Sequence, residues 1–284
     1  MVESAASSSD SAQKVTYARR GPVAFLTLNR PDKLNALDRD CLDLLARHVT
    51  TAVDDPSVAA IILSGNGRCF CAGADLTVVD GALEQGSEGF DEFLARWHEV
   101  FGAVEASAKP TIAAVHGFAM AGGLELTQVC DFVVAGETAV LADQHAKFGL
   151  FPGGGSTQRL PRLVARRAAL WMLCSGEPVD LGDALAWGLV NQVVPDDQVM
   201  AAAVEMAQTL SDRSWSATAA IKQAVRRGGE LPLSDALLLE RRLAVQHMTS
   251  SDAAAGLAAF RSRSQPKFSR ARKLDQRASR GEPT

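Results

Sequence analysis

Several kinds of chemistry are missing from this sequence. Of its 284 residues one is tyrosine and five are cysteine. Tyr17 lies on the first apolar segment, far in sequence from either small-residue loop described below, which makes it a poor general acid. The cysteines are Cys41, Cys69, Cys71, Cys130 and Cys174, and only Cys69 and Cys71 are close together. A C-x-C with no second pair does not read as a zinc site. The thiols are read as reduced core or loop residues of a cytoplasmic protein. No apolar run reaches the roughly 18 residues that a membrane span needs. A net charge of −4 argues against a general nucleic-acid binder. There is no Ser-His-Asp set and no metal-ligand cluster. The run Gly153-Gly154-Gly155 looks like a phosphate-binding turn, but no lysine follows it as in a P-loop.

What is present is an ordinary globular composition, 47% hydrophobic and 22% charged. Residues 1–13 are polar with no apolar stretch and read as a disordered leader rather than a signal peptide. Residues 269–284 are basic and read as a flexible tail. Between them the pattern changes once. Segments 15–18 and 23–28 are β-branched-rich strands joined at Arg20-Gly21-Pro22, and residues 37–54 have helical spacing. Ala59 to Gly65 is a short, nearly all-apolar strand, as expected for burial on both faces. Residues 81–108 read as mostly helix with an apolar stripe of Phe90, Phe93, Leu94, Trp97 and Val100. Strands follow at 111–115 and 132–135, with a short helix at 124–130 between them. After about residue 156 helices dominate: 160–173, 181–187, 199–210, 216–227 and 234–248. The expectation is an α/β core over 14–200 with a helical C-terminal subdomain over 201–268, without a linker between them.

Two loops carry the functional signal. Phe70-Cys71-Ala72-Gly73-Ala74-Asp75-Leu76 and His116-Gly117-Phe118-Ala119-Met120-Ala121-Gly122-Gly123-Leu124-Glu125-Leu126 each follow a buried strand. Their small residues let backbone N–H groups approach a ligand closely, and the second loop runs into a helix N-terminus. Two such N–H groups converging on one point make an oxyanion hole. Either loop alone could be only a tight turn.

These loops, with LNRPDKLNALD (28–38), FGLFPGGGSTQRLPRLV (148–164), GEPVDLGDALAWGLVNQVV (176–194) and SSDAAAGLAAFRSRSQPKF (250–268), resemble the crotonase, or enoyl-CoA hydratase/isomerase, superfamily. The resemblance covers about Val15 to Phe268. It implies a crotonase-like spiral of ββα repeats, assembled as a trimer or a dimer of trimers. It also implies acyl-CoA thioester substrates and no cofactor or metal, coenzyme A entering as part of the substrate. By position the two oxyanion donors fall on Ala72 and Gly122. Asp32, Lys33 and Leu34, together with Ala74, Asp75 and Leu76, match positions that contact the CoA. Phe260 and Arg263 match positions near its far end. Residues 78–92, interrupted by glycines and acids, are expected to shape the acyl pocket.

For reversible hydration of a 2-enoyl-CoA the family's hydratases use two glutamates. The first matches Glu125. The second should lie seven residues before Pro152, where this chain has His145. A neutral imidazole can exchange a proton near pH 7. Hydration therefore stays open beside double-bond isomerisation, C–C bond hydrolysis, decarboxylation, or acyl-CoA binding without catalysis. If the segment is extended, Asp143 shares a face with His145 and could orient it; it could equally cap a turn. His116, Pro152 and Gly153 are the remaining candidates to line the pocket.

Overall fold

A computed structural model describes residues 13–268. The expected basic tail, and the leader apart from Gln13, lie outside the described residues. Among the described residues, the first compact unit contains 13–54 and 58–211. Its main sheet has six strands in the order β1 (Val15–Arg20), β2 (Val23–Leu28), β3 (Ala60–Gly65), β4 (Thr111–Val115), β6 (Phe132–Gly136) and β8 (Gln192–Val194). Only β1 and β2 are antiparallel. A smaller parallel pair, β5 (Phe118–Met120) and β7 (Val140–Ala142), is extended by single bridges between Cys71 and Ala119 and between Leu141 and Val179. After β3, β4 and β6 the chain thus adds a bridge or short strand to this second layer. That is the ββα spiral.

Burial on both faces of β3 and β4 explains their unbroken apolar sequences. Ile61, Leu63, Ala113 and Val115 face the core packed under the helices α1 (Arg39–Asp54) and α3 (Gly86–Ala106). Ala60, Ile62, Ile112 and Ala114 face the opposite way, against Val199, Ala203 and Ala207 of α8 (Val199–Ser211). Each such fully buried isoleucine contributes about 1.5–3 kcal/mol of apolar transfer. Because α8 supplies the second face of the sheet, the unit extends past the expected boundary at 200 and ends at Ser211.

Three expected elements differ. The segment read as mostly helix over 81–108 is two helices, α2 (Leu76–Glu84) and α3, separated where Gly86 takes a φ of +80°. Residues 78–92 are therefore helical around one break. The helix expected over 160–173 is α5 (Ser156–Leu163) and α6 (Arg166–Ser175), broken at Val164 by extended backbone. The short helix between β5 and β6 is α4 (Gly122–Gln128), and every one of its residues is buried. One further helix of this unit, α7 (Leu181–Ala186), leads to β8.

The second unit contains α9 (Trp215–Gly228), α10 (Leu233–Met248) and α11 (Ser251–Ser262). The starts of α9 and α11 are made by side chains. Ser214 accepts the Ala217 N–H, Ser250 accepts the Ala253 N–H, and buried Asp252 accepts the hydroxyls of Ser214 and Ser216. The sequence pattern did not predict α11, whose small residues give little apolar periodicity.

Candidate active site

The first loop is tied down before it can present anything. Leu34 and Asn35 take left-handed backbone in succession (φ 53° and 55°), which turns buried Asn35 inward. Its amide donates to the carbonyls of Asn66 and Cys69 and its oxygen accepts the Arg30 N–H. The two loops are then zipped together. The N–H groups of Phe70 and Cys71 donate to the carbonyls of His116 and Phe118, and Met120 donates back to Cys71.

This zipper bears on one expectation. The Ala72 N–H donates to the Leu34 carbonyl at 3.0 Å and so is already engaged in this structure. Two residues on, the ladder around Ala74 uses its neighbours. Leu37 donates to the Gly73 carbonyl and Asp75 donates to the Leu37 carbonyl. Among the described residues, the Ala74 N–H has no acceptor.

In the second loop Ala121 holds an unusual backbone (φ 48°, ψ −119°), strain of the kind that a surrounding structure must overdetermine. Its N–H is fixed on the Ala142 carbonyl. The turn brings Gly122 in as the first residue of α4, where an amide has no intrahelical acceptor. A side chain at 122 would collide with the Trp97 ring, its Cβ 2.6 Å from Cζ2, so only glycine fits. Gly73 packs on the same amide, a Cβ there falling 3.0 Å from the Gly122 nitrogen. The two free N–H groups, Ala74 and Gly122, therefore sit on adjoining segments.

Glu125, one turn into α4, is 2% exposed. Its Oε1 accepts the Ser156 N–H at 3.2 Å, and Oε2 lies against Gly154, where no Cβ could be placed. The glycine run that resembles a phosphate turn thus cradles a carboxylate. Burial raises the Glu125 pKa; the amides of Ser156 and Gly154 and the charge of His145 oppose that rise, and the Asp143 charge adds to it. Arg159 holds the turn in place, donating to the Gly154 carbonyl and pairing with Glu105 at 3.0 Å.

His145 and Asp143 meet, but not along an extended strand. Residues 145–148 form a 3-10 turn, and Asp143 Oδ1 accepts both the His145 backbone N–H at 3.3 Å and Nδ1–H at 2.7 Å. The capping and orienting readings are therefore both true of one oxygen. The Asp143 side chain has no exposure. With Nδ1–H committed, the neutral tautomer leaves Nε2 as the free base. Burial works against the imidazolium, but the Asp143 hydrogen bond and charge, with the Glu125 charge, outweigh it and hold the His145 pKa above its ordinary 6.5.

The other expected residues are distributed differently. Pro152 is buried and Gly153 half-buried beside Leu94. His116 directs Nε2 to the Gly67 carbonyl, joining two turns. Asp75 caps α2 through Thr77 and pairs with Arg30 at 2.9 Å, so its carboxylate fixes the loop. Asp32 and Lys33 are exposed in a 3-10 turn and Leu76 is exposed at the start of α2. Phe260 is exposed on α11 and Arg263 closes that helix in left-handed backbone, both within the second unit. Cys41 and Cys71 are free and buried, and burial pushes their thiols up to about 11 and about 12, which keeps them inert as nucleophiles. Sequence reasoning missed Ser156, Gly154 and Arg159, because their part is played through backbone and turn geometry.

Known proteins resemble this chain along most of its length. The family described as enoyl-CoA hydratase/isomerase matches residues 18–271. A probable enoyl-CoA hydratase of Mycobacterium bovis is 38% identical over 90% of this chain and 98% of its own length. The 2,3-dehydroadipyl-CoA hydratase of Escherichia coli is 36% identical with the same two coverages. Among solved structures, an enoyl-CoA hydratase of Bacillus anthracis superposes with a TM-score of 0.86 at 30% identity, covering 91% of this chain and 100% of that one. Pseudomonas aeruginosa DspI gives 0.85 at 34% identity, with coverages of 93% and 100%.

Proposed function

The chain belongs to the enoyl-CoA hydratase/isomerase family, and from that premise we propose that it adds water reversibly across the α,β double bond of a 2-enoyl-CoA thioester. The observation that carries the reading is Glu125. It is a buried carboxylate with a raised pKa, one turn beyond an unpartnered amide.

In this reading the thioester oxygen accepts the N–H groups of Ala74 and Gly122, which stabilise the negative charge that develops as the enolate forms. Ionised Glu125 takes one proton of water while the water oxygen bonds to the β-carbon. Both electrons of the α,β π bond move toward the thioester carbonyl to form the enolate. Protonated His145 then delivers its Nε2 proton to the α-carbon, and Asp143 stabilises the imidazolium until that transfer. Proton transfer from Glu125 back to His145 resets the site, so one water is consumed and no proton is gained or lost. Asp32, Lys33, Leu34 and Leu76 are proposed as CoA contacts.

The His145–Asp143 pair at 2.7 Å supports a second reading. A histidine base oriented by a buried carboxylate also suits activation of water for C–C bond hydrolysis of a β-oxo acyl-CoA. A panel of acyl-CoA thioesters analysed by product mass separates the two. The hydratase reading expects loss of the conjugated enoyl absorbance with the mass of one water gained. No reaction with any straight or branched enoyl-CoA, together with cleavage of a β-oxo substrate, replaces it with the hydrolase.

A further inference from the structure

Trp97 is 2% exposed, and its Nε1 is buried with no hydrogen-bond partner. The ring is fixed between Phe93 and Phe101, with centroids at 5.7 and 4.8 Å, and its far edge lies over Gly122. Its Nε1 and Glu125 Oε2 both lie within 2.5 Å of the point that a Cβ on Gly154 would occupy. An indole N–H can only donate, and a donor buried without an acceptor is costly. Beside it, the Glu125 carboxylate accepts more strongly when ionised, and its Oε1 is already held by Ser156.

We propose that Trp97 is a positioning residue for Glu125, its indole N–H donating to Oε2 when that carboxylate ionises. Trp97 then holds the ionised group in a single orientation beside the Gly122 amide. The other groups acting on Glu125 are His145, which favours the ionised form, Asp143, which opposes it, and the amides of Ser156 and Gly154. Arg159, paired with Glu105, donates to the Gly154 carbonyl. The proposal rests on the reading of Glu125 as the acid–base group.

The test uses full-length protein labelled with ¹⁵N-tryptophan, which has four indole N–H signals. Glu125 ionisation is followed independently as the infrared carboxylate band that is absent from Glu125→Gln. One indole signal, the one missing in Trp97→Phe, is expected to move downfield as Glu125 ionises and to stay still in Glu125→Gln. In Trp97→Phe the Glu125 titration is expected to move up by about one pH unit, because a hydrogen bond to the charged form is lost. A Trp97 signal that ignores the Glu125 titration overturns the proposal, as does an unchanged titration in a folded Trp97→Phe. If that variant does not fold, the wild-type and Glu125→Gln spectra decide alone. Turnover of Glu125→Gln reports separately on the underlying reading: full activity there removes Glu125 from the mechanism whatever the indole signal does.

Discussion

Asp75 and Glu125 each close a small-residue loop after a buried strand, in Ala72-Gly73-Ala74-Asp75-Leu76 and in Ala121-Gly122-Gly123-Leu124-Glu125-Leu126. Both are nearly buried, at 9% and 2% exposure. Their surroundings are opposite. Asp75 accepts from Thr77 and Arg30, and those bonds hold its pKa below the ordinary value. Glu125 receives backbone amides but no cation fixed on its oxygens, and burial carries its pKa upward. A carboxylate satisfied by its own fold is a structural part. One left poorly solvated can exchange a proton in the working range of pH. Burial alone does not separate the two; what else touches the oxygens does.

The sharpest way to break this contrast is to remove each acid. Glu125→Gln is expected to lower kcat by about 10²–10⁴-fold in the absorbance assay, the usual contribution of a general acid–base group. Asp75→Ala is expected to cost about 1 kcal/mol of stability through the lost helix cap, read in denaturant unfolding, with the larger part of kcat kept. If the two variants lose turnover equally, the division between structural and reactive acid is wrong.

A smaller effect tests the two amides. Ala74→Pro removes the free N–H and is expected to cut kcat by about 10²–10³-fold, while calorimetry still detects acyl-CoA binding. Ala72→Pro removes the bond to Leu34, costs about 1 kcal/mol of stability, and reduces turnover less. The reverse ranking would return the oxyanion donor to Ala72.

The smallest effect is in the pH dependence of stability. For Glu125, whose folded pKa is raised, the contribution is complete below its ordinary value of 4.5 and is lost as pH rises through the folded value. For Asp75, whose folded pKa is lowered, it is present above 3.8 and is lost as pH falls through the folded value. Melting curves across pH should show Glu125→Gln gaining on the wild type on the alkaline side of the Glu125 titration. Asp75→Ala should lose its deficit only in acid.

Much of the architecture was legible. The apolar run of β3 announced a strand covered on both faces, and the helical spacing of α1, α8 and α10 placed them to within a few residues. The strands β5 and β7, three residues each, are too short to show a period, and the breaks at Gly86 and Val164 occur inside runs that still read as helical. In the site, Glu125 and His145 could be found by position. Which amide is left free could not: Ala72 and Ala74 are the same residue type, and the Leu34 carbonyl takes up only the first N–H. Trp97 read as one apolar residue of a helical stripe, because a sequence pattern does not show which way an indole N–H points.

The α/β core, the family resemblance and the two loops follow from periodicity, small residues and motif order within short stretches of chain. The tertiary structure decided which amides remain free, why Glu125 is raised and Asp75 lowered, and that Asp143 meets His145 through a turn. Each of these depends on groups distant in sequence competing for the same few hydrogen bonds, in places where water is largely excluded and cannot stand in for a missing partner.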